Sequence, residues 1–335
     1  MMGQTLAQRG LAAILLIFLG YGNCLAQTAA SESSIGLWLA RTHEASRQRA
    51  YAGTFVVTSG GAMASARIWH VCDGTQQMER VEALTGTPRS TFRHDDQVIT
   101  FLTESKVAVA QKRDALASFP GLLKSSAIDI GNFYFLKERG SDRVAGFDAQ
   151  VVYLMPRDSW RYGYRVWSEK KTGLVIQLQT LDYDGRVLEQ SAFSELQLDA
   201  HVDMGKLTEL MHDTSGYRVV HPEVQKVDPS AEGWSMRHLL DGFKPMACYR
   251  RPGGLGKAPG RVHSAIQWVF SDGLATVSLF AEPYNANRHV REGGLEGVGA
   301  THTLTRRVKD WWITAVGEVP PSTLVFFADA LERKK

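Results

Sequence analysis

Tyr162-Gly163-Tyr164-Arg165-Val166-Trp167 runs through Lys170-Lys171-Thr172-Gly173 into Leu174-Val175-Ile176-Gln177-Leu178-Gln179, and Asp184-Gly185 returns the chain into Val187–Leu198. Three period-two segments joined by two turn signatures read as a β-meander. In the middle strand Leu174, Ile176 and Leu178 share one face while Gln177 and Gln179 share the other. One side of this sheet is therefore buried and the other partly wet.

The same period continues upstream. Tyr51–Thr58 ends in the turn Ser59-Gly60-Gly61, and Ser65–Val71, Gln77–Ala83, Val98–Thr103 and Lys106–Gln111 follow as short strands. Asp114–Phe135 interrupts them, with Phe119-Pro120-Gly121-Leu122-Leu123 reading as a helical or irregular insertion; Phe133–Arg139 and Val144–Leu154 then resume the strands. Ahead of all of these, Ser34–Arg49 is a helix with Ile35, Leu37, Trp38 and Ala45 on its apolar stripe and Ser34 placed to cap it.

Downstream the pattern fades between His212 and Pro229, where Gly216, Pro222 and Pro229 punctuate a polar stretch. A second β-rich unit follows in Met236–Leu240, Met246–Tyr249, His263–Ser271, Ala275–Glu282, Thr301–Arg307 and Trp311–Val316. Ser271-Asp272-Gly273-Leu274 is a hairpin turn, and Ser322 opens a terminal helix reaching Leu331. The expected class is α+β, mainly β, with a large domain at 27–212, a linker at 213–230 and a small β-rich domain at 231–335.

The first 26 residues have the layout of a cleavable signal peptide: Arg9, the apolar run Leu11–Leu19, Gly20 and Gly22 as breakers, and Ala26 before the cut. The run is short for a membrane span of about 20 residues. Lipidation at Cys24 is the competing reading, although Tyr21, Gly22 and Asn23 fit that signal poorly. Export leaves Cys72 and Cys248, either paired in an oxidising compartment or buried as small apolar side chains. The formal charge is +3, one unit of which sits on Arg9, so net charge does not point to nucleic acid.

The ten histidines show no metal or catalytic spacing, and no Cys-x-x-Cys pair or Gly-x-Ser-x-Gly elbow is present. No catalytic residue, metal site or cofactor is expected. His94-Asp95-Asp96 reads as a polar turn. Gly253-Gly254-Leu255-Gly256-Lys257-Ala258 has Ala258 where a phosphate loop needs a hydroxyl. Its cations are more informative: Arg250, Arg251, Lys257 and Arg261 flank a loop that is either a solvated tip or a grip for an acidic peptide or lipid phosphate. Trp69, Phe101, Phe133, Phe135, Trp160, Tyr162 and Tyr164 are dense for one β domain. They either pack the core or line a cavity for acyl chains or an extended peptide.

Further fragments carry a family resemblance. Trp38-Leu39-Ala40-Arg41, Tyr51-Ala52-Gly53-Thr54-Phe55-Val56, Phe147-Asp148-Ala149, Met155-Pro156-Arg157-Asp158 and Thr172-Gly173-Leu174 resemble the first half of the RseB/MucB family. Phe270-Ser271-Asp272-Gly273-Leu274-Ala275-Thr276-Val277 and Thr314-Ala315-Val316-Gly317-Glu318-Val319-Pro320 are similar to its closing motifs. The resemblance implies a large domain like the lipoprotein carriers LolA and LolB, an unclosed β-barrel holding helices, joined to a smaller β domain. It implies a periplasmic, non-enzymatic regulator of sigma-E. Such a protein binds the periplasmic domain of a membrane anti-sigma factor of the RseA/MucA type and shields it from site-one proteolysis. It is released by lipid or lipopolysaccharide. The barrel shape alone also admits a periplasmic lipid or lipoprotein carrier, and a homo-oligomer is compatible with either reading.

Overall fold

The computed structural model describes residues 22–112, 119, 130–251, 264–289 and 293–334, with side chains from Ile35 onward. The predicted leader's first 21 residues, most of the insertion after strand six, and Lys257 and Arg261 lie outside them.

The chain opens with helix α1 (Gly22–Gln48) and strands β1 (Tyr51–Ser59), β2 (Ala62–Cys72), β3 (Gln77–Ala83), β4 (Arg89–His94), β5 (Gln97–Leu102) and β6 (Val107–Lys112). A one-turn helix α2 (Ile130–Phe133) leads into β7 (Tyr134–Val144), β8 (Phe147–Pro156), β9 (Gly163–Glu169), β10 (Val175–Leu181) and β11 (Val187–Leu198), and then α3 (Met204–His212). Two adjacent meanders thus form, and they meet where β1 pairs with β11. With β12 (Arg218–Val220) added in parallel to β6, the sheet has twelve strands in the order β12-β6-β5-β4-β3-β2-β1-β11-β10-β9-β8-β7. Its two edges do not pair with one another, so the sheet is unclosed, as the resemblance implied.

Register fixes which residues share a face. Val152, Val166, Leu178, Ser191 and Val57 stand side by side across five strands. Helix α1 covers this face, packing Ile35 and Leu39 against Val152, Leu154, Tyr164 and Val166. Two steps of two along β1 lead from Val57 to Gly53, which pairs with Ile68, so Trp69 points to the opposite face. There Trp69, Arg80, Phe92 and Ile99 stand in one row, and α3 lays Leu207 and Met211 over Met78, Phe92 and Phe101. Asp203 caps α3 by accepting the Lys206 N–H at 3.0 Å.

The remaining elements are β13 (Gln225–Lys226), β14 (Trp234–Met236), β15 (Lys244–Arg251), β16 (Ala265–Ser271), β17 (Thr276–Pro283), β18 (Leu295–Val298), β19 (Thr301–Val308), β20 (Trp311–Gly317), α4 (Pro321–Ala330) and β21 (Leu331–Arg333). Seven of them form a second antiparallel sheet, β13-β15-β16-β17-β20-β19-β18, and β14 pairs with β21. Helix α4 buries Leu324, Phe327 and Ala328 against Phe270, Val277, Ile313 and Ala315. Each large apolar side chain buried in this way stabilises the fold by about 1.5–3 kcal/mol. The stretch expected as linker carries β12 on one sheet and β13 on the other.

Several local expectations need correction. Helix α1 begins at Gly22, so Ser34 lies inside it rather than at its cap. Helix α4 begins at Pro321, whose missing N–H costs nothing at a helix start, and its cap position is Pro320. The strand expected at Met236–Leu240 stops at Met236, since the following turn carries Asp241 towards Arg161. Strand β4 and helix α3 were not anticipated.

Candidate functional site

Buried charge is concentrated where the two sheets meet. The turn between β16 and β17 holds Asp272, whose Oδ1 accepts the backbone N–H groups of Leu274 and Ala275 at 2.9 and 2.7 Å. The carboxylate is thus oriented by its own hairpin. Its Oδ2 accepts Arg161 Nε at 2.8 Å and the Tyr134 hydroxyl at 2.9 Å, both from the large-sheet side. The side chains of Arg161 and Asp272 are fully buried. Arg161 also donates to the Asp158 carboxylate and the Asp241 carbonyl. Its guanidinium lies 4.5 Å from the Phe133 ring centre and 5.1 Å from that of Phe243. Gly242, at φ +86°, passes beside Phe133 and Arg161 with no room for a Cβ.

Such an arrangement holds rather than reacts. Every charge has a partner, and burial followed by the adjacent Asp272 carboxylate raises the Tyr134 hydroxyl well above the ordinary tyrosine range. Around the ion pair, Thr323 Oγ1 donates to the Trp160 carbonyl at 2.8 Å, Trp160 packs on Phe326 at 5.6 Å, and Leu274 enters the cluster under α1.

A second contact lies at two hairpin tips. Gly60, at φ +57°, meets Val298, and Gly299, at φ +62°, lies on Ser59, so a Cβ on either would overlap its neighbour. Near this contact, Tyr162 OH lies 3.4 Å from His302 Nδ1, and burial pushes the Tyr162 hydroxyl up to about 12.

The basic residues are partly committed. Arg250 at the end of β15 is paired with the Glu232 carboxylate, and Arg251 Nε donates to Gln267 Oε1 at 2.5 Å. Lys257 and Arg261 lie outside the described residues.

The seven aromatics do not come together. Trp69 and Phe101 lie under α3, whereas Tyr164 lies on the opposite face beneath α1. Phe133 and Trp160 belong to the inter-sheet seam, Tyr162 lies by His302, and Phe135 stands beside Arg157. The Tyr164 hydroxyl is buried without a hydrogen-bond partner among the described residues. Phe119 faces the α1 side, packing on Phe55 and Phe193 at 5.4 and 5.1 Å.

Sequence reasoning missed Arg161 and the roles of Tyr134 and Asp272. The hairpin turn around Asp272 was visible, but its partner is 111 residues away and no periodicity links them. His94 bonds Gln76 across a turn, and His212 caps its own helix end through Thr208. Both thiols are free: Cys72 is half-buried, and burial pushes the Cys248 thiol up to about 11.

The model of the MucB/RseB N-terminal domain matches residues 34–211, and that of the MucB/RseB C-terminal domain matches 228–332. Among curated relatives, the sigma factor AlgU regulatory protein MucB of Pseudomonas aeruginosa is 29% identical, covering 92% of this chain and 93% of its own length. The sigma-E factor regulatory protein RseB of Escherichia coli is 22% identical over 91% of this chain and 92% of its own. Among solved structures, the MucB chain of the Pseudomonas aeruginosa MucA/MucB complex aligns with a TM-score of 0.69 at 25% identity, covering 90% of this chain and 99% of that one.

Proposed function

The chain belongs to the MucB/RseB family, and from that membership we propose that it is a periplasmic regulator that binds the periplasmic part of an RseA/MucA-type anti-sigma factor. Bound, it shields that segment from site-one proteolysis, and a lipid or lipopolysaccharide signal of envelope stress reverses the shielding. The observation that carries the reading is the likeness, over both sheets, to a MucB chain solved together with MucA. The MucB and RseB relatives are regulatory proteins.

The seam supports the same reading physically. An ion pair buried on both sides keeps the two sheets in one arrangement, so a single extended peptide can meet both units at once. Pre-organisation of this kind lowers the entropic cost of binding. In sequence, Arg250, Arg251, Lys257 and Arg261 group four cations that an acidic partner can meet, in competition with Glu232 for Arg250. A carrier would have no use for the second sheet fixed to the first, which favours the regulator over the carrier.

Protease protection tests the proposal. Residues 27–335 are added to the partner's periplasmic segment with the site-one protease; cleavage is expected to slow, and dispersed lipid A to restore it. Cleavage at an unchanged rate would overturn the proposal.

A further inference from the structure

On the face away from α1, an open cleft of about 270 Å³ lies between the end of α3 and strands β3 to β5. Its centre is Arg80. The guanidinium is 4.9 Å from the Trp69 ring centre and 5.3 Å from that of Phe92, with Nε bonded to Ser90 Oγ at 3.3 Å and Nη2 to Glu82 Oε2 at 2.9 Å. Two rings and two hydrogen bonds thus hold one fork in place while the side chain stays 25% exposed. Arg89, exposed at the rim, has no ion pair among the described residues.

One wall is apolar. Phe92 packs on Phe101 at 5.7 Å and Phe101 on Tyr217 at 5.0 Å, and Leu210 on α3 is 39% exposed beside them. The acids are already engaged, Glu82 with Arg80 and Asp213 with the Ser215 N–H. A second cation facing an apolar wall suits an anion that carries an apolar group.

The cleft also touches the connection between the sheets. Tyr217 immediately precedes β12, the Lys106 ammonium lies 5.3 Å from its ring centre, and the Arg218 N–H donates to the Lys106 carbonyl at 2.8 Å. Whatever fills the cleft bears on the residue from which the connecting strand starts.

We propose that this cleft binds the phosphate head and first apolar carbons of a phosphorylated amphiphile, and that occupancy tightens β12 onto β6. The inference rests on the lipid-sensing reading above and gives it a location distinct from the α1-covered face.

Calorimetric titration of the full chain with monomeric dihexanoyl-phosphatidylglycerol tests it, against dihexanoyl-phosphatidylcholine and inorganic phosphate. One saturable site is expected for the glycerol lipid, at least tenfold weaker for the other two probes. Arg89→Gln and Leu210→Glu change exposed side chains, and unfolding midpoints confirm that both fold. Each should weaken binding at least tenfold, and wild-type binding should slow amide exchange at 218–220. Equal binding of the choline lipid, or of phosphate alone, overturns the assignment, as does unchanged affinity in both variants. Dispersed lipid A separates the two levels: bound at wild-type strength by both variants, it sinks only the cleft; bound by no form of the chain, it sinks the lipid-sensing reading itself.

Discussion

Replacing Asp272 by Asn removes one charge and almost no volume from the seam. Both oxygens accept two donors each: Arg161 Nε and Tyr134 OH on one, Leu274 and Ala275 N–H on the other. An amide supplies only one acceptor oxygen, so either orientation turns an NH₂ group against two N–H or O–H donors. Arg161 simultaneously loses its fully buried counter-charge and keeps only Asp158, whose side chain is 31% exposed. Breaking a buried pair by removing one partner costs about 3–5 kcal/mol, and the remaining Asp158 puts the expected loss near the lower end, about 3 kcal/mol. Urea unfolding followed by tryptophan fluorescence and circular dichroism reads it, and the two sheets are expected to unfold in separate steps once the seam is weakened. Arg161→Met alone is also expected to destabilise, whereas the double variant should cost about 1–3 kcal/mol less than the two single losses combined. Additive losses, or an Asp272→Asn effect below about 1 kcal/mol with one sharp transition, would refute the picture of a mutually satisfied buried pair.

Gly299→Ala places a Cβ against Ser59 at φ +62°; a loss of about 1–2 kcal/mol is expected, and an unchanged midpoint would show that the hairpin tips are not in firm contact. His70 is buried, stacks on Tyr51 and bonds the Arg49 carbonyl, and burial lowers its pKa below 6.5. The unfolded chain therefore binds the extra proton first as pH falls, so stability should drop as pH falls through 6.5 and below, and His70→Gln should flatten that drop in thermal scans. With Cys24 and Cys72 changed to Ser, the Cys248 thiol, raised to about 11 by burial, should react with a thiol reagent at pH 8 only after unfolding; rapid reaction of the native chain would contradict its burial. Removing Arg250, Arg251 and Lys257 together should weaken anti-sigma binding in a salt-sensitive manner, read by pull-down titration. The Glu232 partner of Arg250 is then freed as a local negative charge, adding to the loss.

The strands with strong β pattern were legible as strands from their own residues: β1, β2, β3 and the β9–β10–β11 meander. Their faces were not: a register shift between Val175 and Gln177 puts Leu174 and Ile176 in one core cluster and Leu178 with Val175 in another, and Gln179, expected on the wet face, is buried. Strand β4 was not legible, because Arg89-Ser90-Thr91-Phe92-Arg93-His94 has a single large apolar residue and draws its order from pairing with β3 and β5. Helix α3 was missed for a related reason. It is nine residues long and only Leu207 and Met211 are buried, so its stability comes from the sheet beneath it rather than from propensity. The aromatics were countable but not assignable. Whether Trp69 shares a face with Tyr164 depends on summed register across β1, β2, β11, β10 and β9, which no local window contains. The seam is the extreme case, since Arg161 and Asp272 each look like ordinary turn residues until the two sheets meet.

The strap between β12 and β13 sets a length scale. Only His221, Pro222, Glu223 and Val224 separate Val220, held on the large sheet, from Gln225, held on the small one. Fully extended, four residues and their end bonds reach roughly 17 Å. If the Arg161–Asp272 seam opens while both short strands stay paired, the sheets remain on a leash of that length. Larger excursions require unzipping three residue pairs on one side or two on the other. Once the seam has opened, the fuse that remains is a strand only two or three residues long.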